Sequence, residues 1–396
     1  MGGNYMVRYM TTGTRAAHLE AIAGAHTAAT AAKTTAALAL AVTLACSGSA
    51  WARAADDGAT SAPSIAAAAV DPDVLAARDG ISQRRMSDVV LELTQPQYNG
   101  RLPGTPGDTL SRDWIVGEFS DIGLTPAGVE GYLQPFTTKI TQPDGKTKGT
   151  PKNPLYGQKA SSSNIIGIIP GNDPVLSKEV VIISGHRDHL GYDPSAIQYP
   201  GANDDLSGVA ATLELARAFY KLKAKNKRTL MFVAYGAEEQ AQMGSMHHVD
   251  HPVAAAPNKN IVFMTTIDMI GRGFDKWADF SQSQMDSYSN RWFREVYNGS
   301  NKDRDAYSHE YPKENGKTFD YDAGPFAKIG IHTRVFGLAE GIANYHKTTD
   351  TWEKVHFEPM VNVTRTIFDF IWKVDQDPRI HVKPLTATRP GARTGQ

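Results

Sequence analysis

The stretch TLMFVAYGAEEQ, residues 229–240, joins a run of apolar residues to two adjacent glutamates. An apolar run of this length without polar alternation is typical of a β-strand that is buried on both faces. Glu238 and Glu239 follow the run after one glycine and one alanine. Two neighbouring carboxylates at a buried strand end repel each other and lose hydration, so they require positive charge nearby unless the strand ends in solvent.

Similar apolar runs lie on both sides of this stretch, and they alternate with amphipathic helical patterns. NIIGIIPG (164–171), EVVIISG (179–185) and IVFMTTIDM (261–269) read as strands, and SGVAATLELARAFYKL (207–222) reads as a helix. Continuous apolar strands that alternate with helices indicate a parallel sheet covered on both faces. We therefore predict an α/β fold with a mostly parallel central β-sheet flanked by helices on both faces.

Polar side chains follow the predicted strands at the points where the strands end. In open α/β sheets, ligands bind beyond these carboxyl ends. The candidate groups are His186, Asp188, Asp204, Glu238, Glu239, Asp268, Tyr345 and His346. Each of them alone also fits an ordinary loop or a helix cap, so the prediction depends on their joint placement. Carboxylates and imidazoles together predict a site for divalent cations with oxygen and nitrogen ligands.

The bulk composition excludes some classes of partner. Lys plus Arg (41) nearly equals Asp plus Glu (42) in the 396 residues, so the chain lacks the basic surplus of a nucleic-acid-binding protein. The same balance argues against attraction to an anionic membrane.

The N-terminal 54 residues have the layout of a secretory signal peptide. A basic region precedes the apolar run TTAALALAVTLAC, and the small residues of SGSAWARA follow. We predict cleavage after Ala54 and a secreted or periplasmic protein, and the apolar run is too short for a membrane span. Thr43 stands where a lipoprotein signal has a branched aliphatic residue, which argues against lipidation of Cys46.

The chain that remains after this cleavage contains no cysteine, since Cys46 is the only one. Any metal ion must then be held by His, Asp and Glu. Residues 55–80, rich in Ala, Gly, Ser and Pro, are predicted to form a flexible linker.

Five ordered segments carry a family resemblance: GHRDHLG, PGANDDLSGVAATLELAR, FVAYGAEEQ, IDMIGR and YHKTTDT. They resemble the signature segments of peptidase family M28, whose typical members are dizinc aminopeptidases secreted by bacteria. GRLPGTPG extends the similarity upstream. The resemblance implies a single zinc-exopeptidase-like catalytic domain of the phosphorylase/hydrolase type over residues 81–375, followed by a tail over residues 376–396.

The resemblance also implies a ligand set for two Zn²⁺ ions, with Co²⁺ or Mn²⁺ as alternatives. His186 and Asp268 would bind one ion, Glu239 and His346 would bind the other, and Asp204 would bridge the two.

Other residues receive roles around these ligands. Glu238 would be the general base, Tyr345 would stabilise the oxyanion, and Asp188 would orient the His186 imidazole. We interpret His189 as a loop-packing residue and Asp205 as a helix cap. SMHHVDH (245–251) is interpreted as part of a surface helix.

The predicted function is that of a secreted dizinc metallo-exopeptidase that removes N-terminal residues from peptide substrates. A carboxypeptidase or dipeptidase would use the same metal centre, and a glutaminyl cyclase-like enzyme would use a single zinc in the same fold. We predict neither a nucleic-acid partner nor a membrane span. Residues 273–322 follow the Asp268 strand and are predicted to wall the substrate cleft.

Overall fold

A mixed sheet of seven strands forms the centre of the described structure. The computed structural model describes residues 71–146, 151–272, 321–337 and 343–381. The strands are β1 (Thr125–Pro126), β2 (Leu133–Lys139), β3 (Lys159–Ile169), β4 (Val180–His186), β5 (Thr229–Tyr235), β6 (Ile261–Ile267) and β7 (His332–Phe336). Their order is β1-β3-β5-β4-β6-β7, with β2 also paired to β3. Strands β5, β4, β6 and β7 are mutually parallel, and β3 runs antiparallel to β5.

Helices cover both faces of this sheet. They are α1 (Pro72–Asp79), α2 (Gln83–Leu93), α3 (Pro106–Ile122), α4 (Leu206–Lys221), α5 (Met243–Asp250), α6 (Ala323–Lys328) and α7 (Phe357–Gln376). Helices α1 to α4 and α7 contribute to one hydrophobic core, and α5 and α6 contribute to a second. The predicted α/β fold with helices on both faces is thereby confirmed, with β3 as an antiparallel strand within it.

The apolar run of β5 is continuous because its side chains enter two different cores. All seven residues of β5 are buried. Leu230 and Phe232 lie in the first core, whereas Met231 and Val233 lie in the second. Successive side chains of a strand point to opposite faces, so a strand covered on both faces must be apolar at every position.

The predicted linker over residues 55–80 is wrong for its C-terminal part. Residues 72–79 form helix α1, which begins at Pro72 and is capped by the Asp71 side chain. Val74 and Ala77 are buried in the first core. The alanine content suggested a linker, but alanine also favours a helix. Helix α1 is stabilised because two of its side chains pack in the core. The predicted signal peptide, Cys46 and residues 55–70 lie outside the described residues.

The predicted boundary at residue 375 also falls inside packed structure. Helix α7 continues to Gln376, and Ile380 is buried in the first core. Residues 382–396 of the predicted tail lie outside the described residues, as do residues 273–320 of the segment predicted to wall the cleft. Within the described ranges, no helix has the length and apolar character that crossing a membrane requires.

Arg228 fastens the end of α7 to the sheet. Its buried guanidinium donates hydrogen bonds to the main-chain carbonyls of Val374, Asp375 and Ile380, at 2.6–2.8 Å. It also donates to the Glu179 carboxylate at 2.8 Å. The four acceptors would be left without this donor if the guanidinium were removed.

We predict that Arg228→Met lowers the free energy of unfolding by about 3–5 kcal/mol, because it leaves a carboxylate and three carbonyls unsatisfied. Urea unfolding followed by circular dichroism measures the loss. Arg84→Met is the matched control, since the Arg84 side chain is 75% exposed and lies 3.8 Å from Asp88. Equal unfolding midpoints for the two variants would contradict the prediction.

Candidate metal centre

The predicted site residues come together at the carboxyl edge of the parallel strands. His186 is the last residue of β4, and Asp268 directly follows β6. Glu238 and Glu239 lie just beyond β5, and Asp204 lies two residues before helix α4. Because β5, β4 and β6 are parallel neighbours, their ends meet at one edge.

Three of these residues form a first group of donor atoms. His186 Nε2 lies 3.2 Å from Asp204 Oδ1 and 3.9 Å from Asp268 Oδ1. One donor atom from each of the three lies within 4.8 Å of the others. The structure therefore joins the pair His186 and Asp268 to the predicted bridging residue Asp204.

A second group shares Asp204 with the first. His346 Nε2 lies 2.9 Å from Glu239 Oε2 and 3.4 Å from Asp204 Oδ2. The two carboxylate oxygens of Asp204 thus face different histidines, His186 on one side and His346 on the other. This is the placement that a carboxylate bridging two ions requires.

The chemistry of both groups fits divalent metal ions. Asp204 Oδ2 and Asp268 Oδ1 are buried and accept no hydrogen bond within the described part of the chain. Ligands bound to one tetrahedral zinc at about 2.0–2.2 Å lie roughly 3.3 Å apart, close to the separations of His346 from Glu239 and Asp204. Imidazole and carboxylate ligands suit zinc, and they also accept cobalt or manganese.

The buried charges of the site perturb one another strongly. Burial opposes the charge of Asp204, but the imidazoles of His186 and His346 beside it outweigh the effect and hold the Asp204 pKa well below its usual value. Burial raises the pKa of Asp268 to about 7, and neighbouring carboxylates add to the effect. Burial also raises the pKa of Glu238 well above its usual value, with contributions from Asp322 and Glu239. Bound cations would reverse the upward shifts of Asp268 and Glu238, because they stabilise ionised carboxylates.

Asp188 holds the segment that carries the two glutamates. Its carboxylate accepts hydrogen bonds from the backbone N–H groups of Glu238 (2.9 Å) and Glu239 (3.2 Å). His186 Nδ1 lies 3.2 Å from the Asp188 carbonyl oxygen and 3.7 Å from its carboxylate. Asp188 therefore faces the imidazole, with its carbonyl as the closer group, and its role in orienting His186 stays a prediction.

Asp205 caps helix α4, which agrees with its interpretation from the sequence. Its Oδ1 accepts hydrogen bonds from the N–H groups of Gly208 (2.8 Å) and Met269 (3.1 Å). Its Oδ2 accepts one from the His186 N–H at 3.0 Å. One carboxylate thus links the ends of β4 and β6 to the start of α4.

Tyr345 stacks on the His346 ring, with 3.7 Å between ring centroids and 21° between ring planes. The residue is 40% exposed, yet burial raises the pKa of its phenol well above the usual value, and neighbouring carboxylates add to the effect. The role of Tyr345 at the oxyanion stays a prediction.

Three further buried residues, to which the sequence assigned no role at the site, support it. Asp350 accepts hydrogen bonds from the N–H groups of Asn203 (3.0 Å) and Asp204 (3.1 Å). Arg101 donates to the carbonyls of Arg187, Pro200 and Gly201, in the loops that carry the ligands. The third is His189.

The interpretation of His189 as only a loop-packing residue is wrong. Its ring is fully buried, and Nδ1 lies 2.6 Å from Glu239 Oε1. His189 lies three positions after the predicted ligand His186, which was the available signal in the sequence.

The interpretation of SMHHVDH as a surface helix holds only in part. Residues 243–250 form α5, but His248 is fully buried, and its Nδ1 lies 3.0 Å from the Tyr235 hydroxyl. Among the described residues, two groups of side chains could hold a metal ion: His186, Asp204 and Asp268, and His189, Asp204 and Glu239. Neither group includes a histidine of this helix.

The chain is similar to known proteins over part of its length. The model of peptidase family M28 matches residues 164–371. Aminopeptidase YwaD of Bacillus subtilis is 30% identical over 155 residues, which cover 38% of this chain and 32% of that relative. The chain thus spans about a third of the length of this curated relative.

Two solved structures share the fold. An aminopeptidase from Aneurinibacillus sp. strain AM-1 superposes with a TM-score of 0.52 at 17% identity, over 79% of this chain and 98% of that one. A glutaminyl cyclase of Porphyromonas gingivalis superposes with a TM-score of 0.50 at 18% identity, over 73% and 97%. At such identities the likeness supports the fold alone, and the fold serves both reactions.

The metal-free protein should lose stability as pH rises from 7 to 9. Burial opposes the charge of His346, but Glu239 and Asp204 outweigh it and raise the His346 pKa to about 11. Between the unfolded pKa near 6.5 and this value, the folded state binds one more proton than the unfolded state. His346 alone therefore lowers the free energy of unfolding by about 1.4 kcal/mol per pH unit in this window.

Urea unfolding of chelator-treated protein at pH 7, 8 and 9 measures this slope. His346→Gln should make it shallower, because the glutamine does not titrate. His186 still contributes, since burial opposes its charge but Asp188 and Asp204 raise its pKa well above the usual value. A stability of the metal-free wild type that is constant or rises over this window would refute the assignment.

Proposed function

Because the chain belongs to peptidase family M28, we propose that it is a zinc-dependent exopeptidase that removes N-terminal residues from peptides. The observation that carries the proposal is the position of Asp204 between His186 and His346, with Glu238 at the same edge. A carboxylate shared by two ligand groups, beside a further carboxylate that can move a proton, is the arrangement of a two-metal hydrolase.

The ligands in this proposal are those of the two donor groups. His186 and Asp268 hold one zinc, Glu239 and His346 hold the other, and Asp204 is shared between them. When bound, two zinc ions would polarise the scissile carbonyl and lower the pKa of a water molecule at the site.

Glu238 moves the protons in the proposed reaction. Its Oε2 lies 3.9 Å from His186 Nε2, so the carboxylate faces the first donor group. It accepts the proton of the attacking water and passes it to the leaving amine. The hydrogen bond from the Glu238 N–H to the Asp188 carboxylate fixes the backbone of Glu238. Gln242 Nε2 lies 3.4 Å from Glu238 Oε1. The Tyr345 hydroxyl donates to the oxyanion in this proposal.

Glutaminyl cyclase activity is the second candidate, because a cyclase shares the fold. The presence of both donor groups around Asp204 favours the hydrolase, since the cyclase resemblance calls for a single zinc. Carboxypeptidase or dipeptidase action would use the same residues and differs only in which end of the peptide is held.

We also propose that the protein is exported, on the basis of the signal-peptide pattern in residues 1–54. N-terminal sequencing of protein collected outside the cytoplasm should begin at Ala55.

The central test is hydrolysis of aminoacyl-p-nitroanilides and N-blocked peptides by the purified protein. We expect release from free N-termini that a chelator abolishes and zinc restores. Glu238→Gln should lower kcat by a factor of about 10²–10⁴, the usual contribution of a general base, while both ions stay bound.

Each other outcome points to a different reaction. Cleavage of N-blocked peptides alone would replace the aminopeptidase with a carboxypeptidase or endopeptidase. Cyclisation of peptides with N-terminal glutamine, without hydrolysis, would support the cyclase. A Glu238→Gln variant with unchanged kcat would remove Glu238 from the reaction.

A further inference from the structure

The Glu239 carboxylate is held by two histidines, one at each oxygen. Oε2 lies 2.9 Å from His346 Nε2, and Oε1 lies 2.6 Å from His189 Nδ1. Both His189 and Glu239 are buried, so the short contact lies in a region of low dielectric where hydrogen bonds are strong.

The His189 ring is fixed by the chain around it. A Cβ atom added to Gly201 would lie 2.6 Å from His189 Cγ and Cδ2, so only a glycine can pack against this ring. Gly201 also has a φ of 55°, in the region that glycine favours. The His189 N–H donates to the Arg101 carbonyl at 3.3 Å, and the ring lies edge-on to His346 at 5.9 Å.

In the hydrogen bond between His189 and Glu239, the donor and the acceptor can be assigned. A carboxylate that binds a metal ion is ionised and can only accept hydrogen bonds, so His189 Nδ1 must donate. A nitrogen that carries this proton does not bind an ion. His346 differs, because its Nε2 contacts both Glu239 and Asp204, the carboxylates of the second donor group.

We propose that His189 is a positioning residue that fixes Glu239 through Oε1 and leaves Oε2 for the metal ion. The inference rests on the metal centre of the proposed function. Without the His189 donor, the carboxylate can rotate or bind through both oxygens, and the ion shared with His346 is held less well. Partners of this kind, outside the ligands themselves, commonly change metal affinity about 10–100-fold.

Two amide variants test whether a hydrogen-bond donor at the position of His189 Nδ1 is what fixes Glu239. In His189→Asn the amide nitrogen can occupy the position of Nδ1, whereas in His189→Gln it lies near the position of Nε2. Zinc affinity is measured by competition with a chromophoric chelator, and the Co²⁺-loaded proteins give absorption spectra that report the ligand geometry. His248→Leu is the control, because it removes an equally buried imidazole that lies against Tyr235.

We expect His189→Gln to lower the affinity for one of the two zinc ions about 10–100-fold and to change the absorption spectrum of the Co²⁺-loaded protein. His189→Asn should retain the affinity within a few-fold, and His248→Leu should bind both ions as the wild type does. Wild-type zinc affinity in His189→Gln would mean that His189 only packs in the loop and does not position Glu239. Equal losses in both amide variants would instead make the imidazole itself a ligand, and either result overturns the proposal.

The zinc measurement is independent of the reaction. If the wild type binds two zinc ions but hydrolyses no peptide, the proposed function fails while the role of His189 is still decided. If the wild type hydrolyses peptides and His189→Gln keeps its zinc, only the inference on His189 fails.

Discussion

The dominant physical constraint on this protein is the concentration of buried negative charge at one edge of its sheet. Six carboxylates lie there with at most 7% exposure: Asp188, Asp204, Asp205, Glu238, Glu239 and Asp268. Buried carboxylates of like charge raise one another's pKa and destabilise the fold unless they find hydrogen bonds or cations. The arrangement of the surrounding chain follows from this requirement.

The scaffold satisfies part of the charge with backbone N–H groups. Asp188 accepts from the segment after β5, and Asp205 accepts from the start of α4 and the ends of β4 and β6. These two carboxylates thus act as structural links between elements. Asp204, Glu239 and Asp268 are instead left to the imidazoles, and they are the carboxylates that a metal ion would bind. The division of roles explains why so many acids can share one buried edge.

Residues 100–108 belong to the same arrangement through two buried arginines, Arg101 and Arg187. Arg101 donates to the carbonyls of the ligand loops, and Arg187 pairs with Asp108 at the start of helix α3. The burial of Arg101 lowers its pKa to about 10, although Asp188 and Asp350 counteract the effect. Both guanidinium groups also place positive charge behind the carboxylates. The GRLPGTPG segment is therefore part of the support of the site, although it lies far from the ligands in sequence.

The sequence by itself determined strands β3 to β6, helix α4 and the candidate ligands, because each depends on local pattern. An apolar run such as residues 229–235 must be a buried strand, and polar residues directly after it must lie at the strand end. Only the tertiary structure decided that α1 packs on the core, that Asp350 holds the backbone of Asp204, and that His189 contacts Glu239. These contacts join residues distant in sequence, and no local periodicity records which of them meet once the chain has folded.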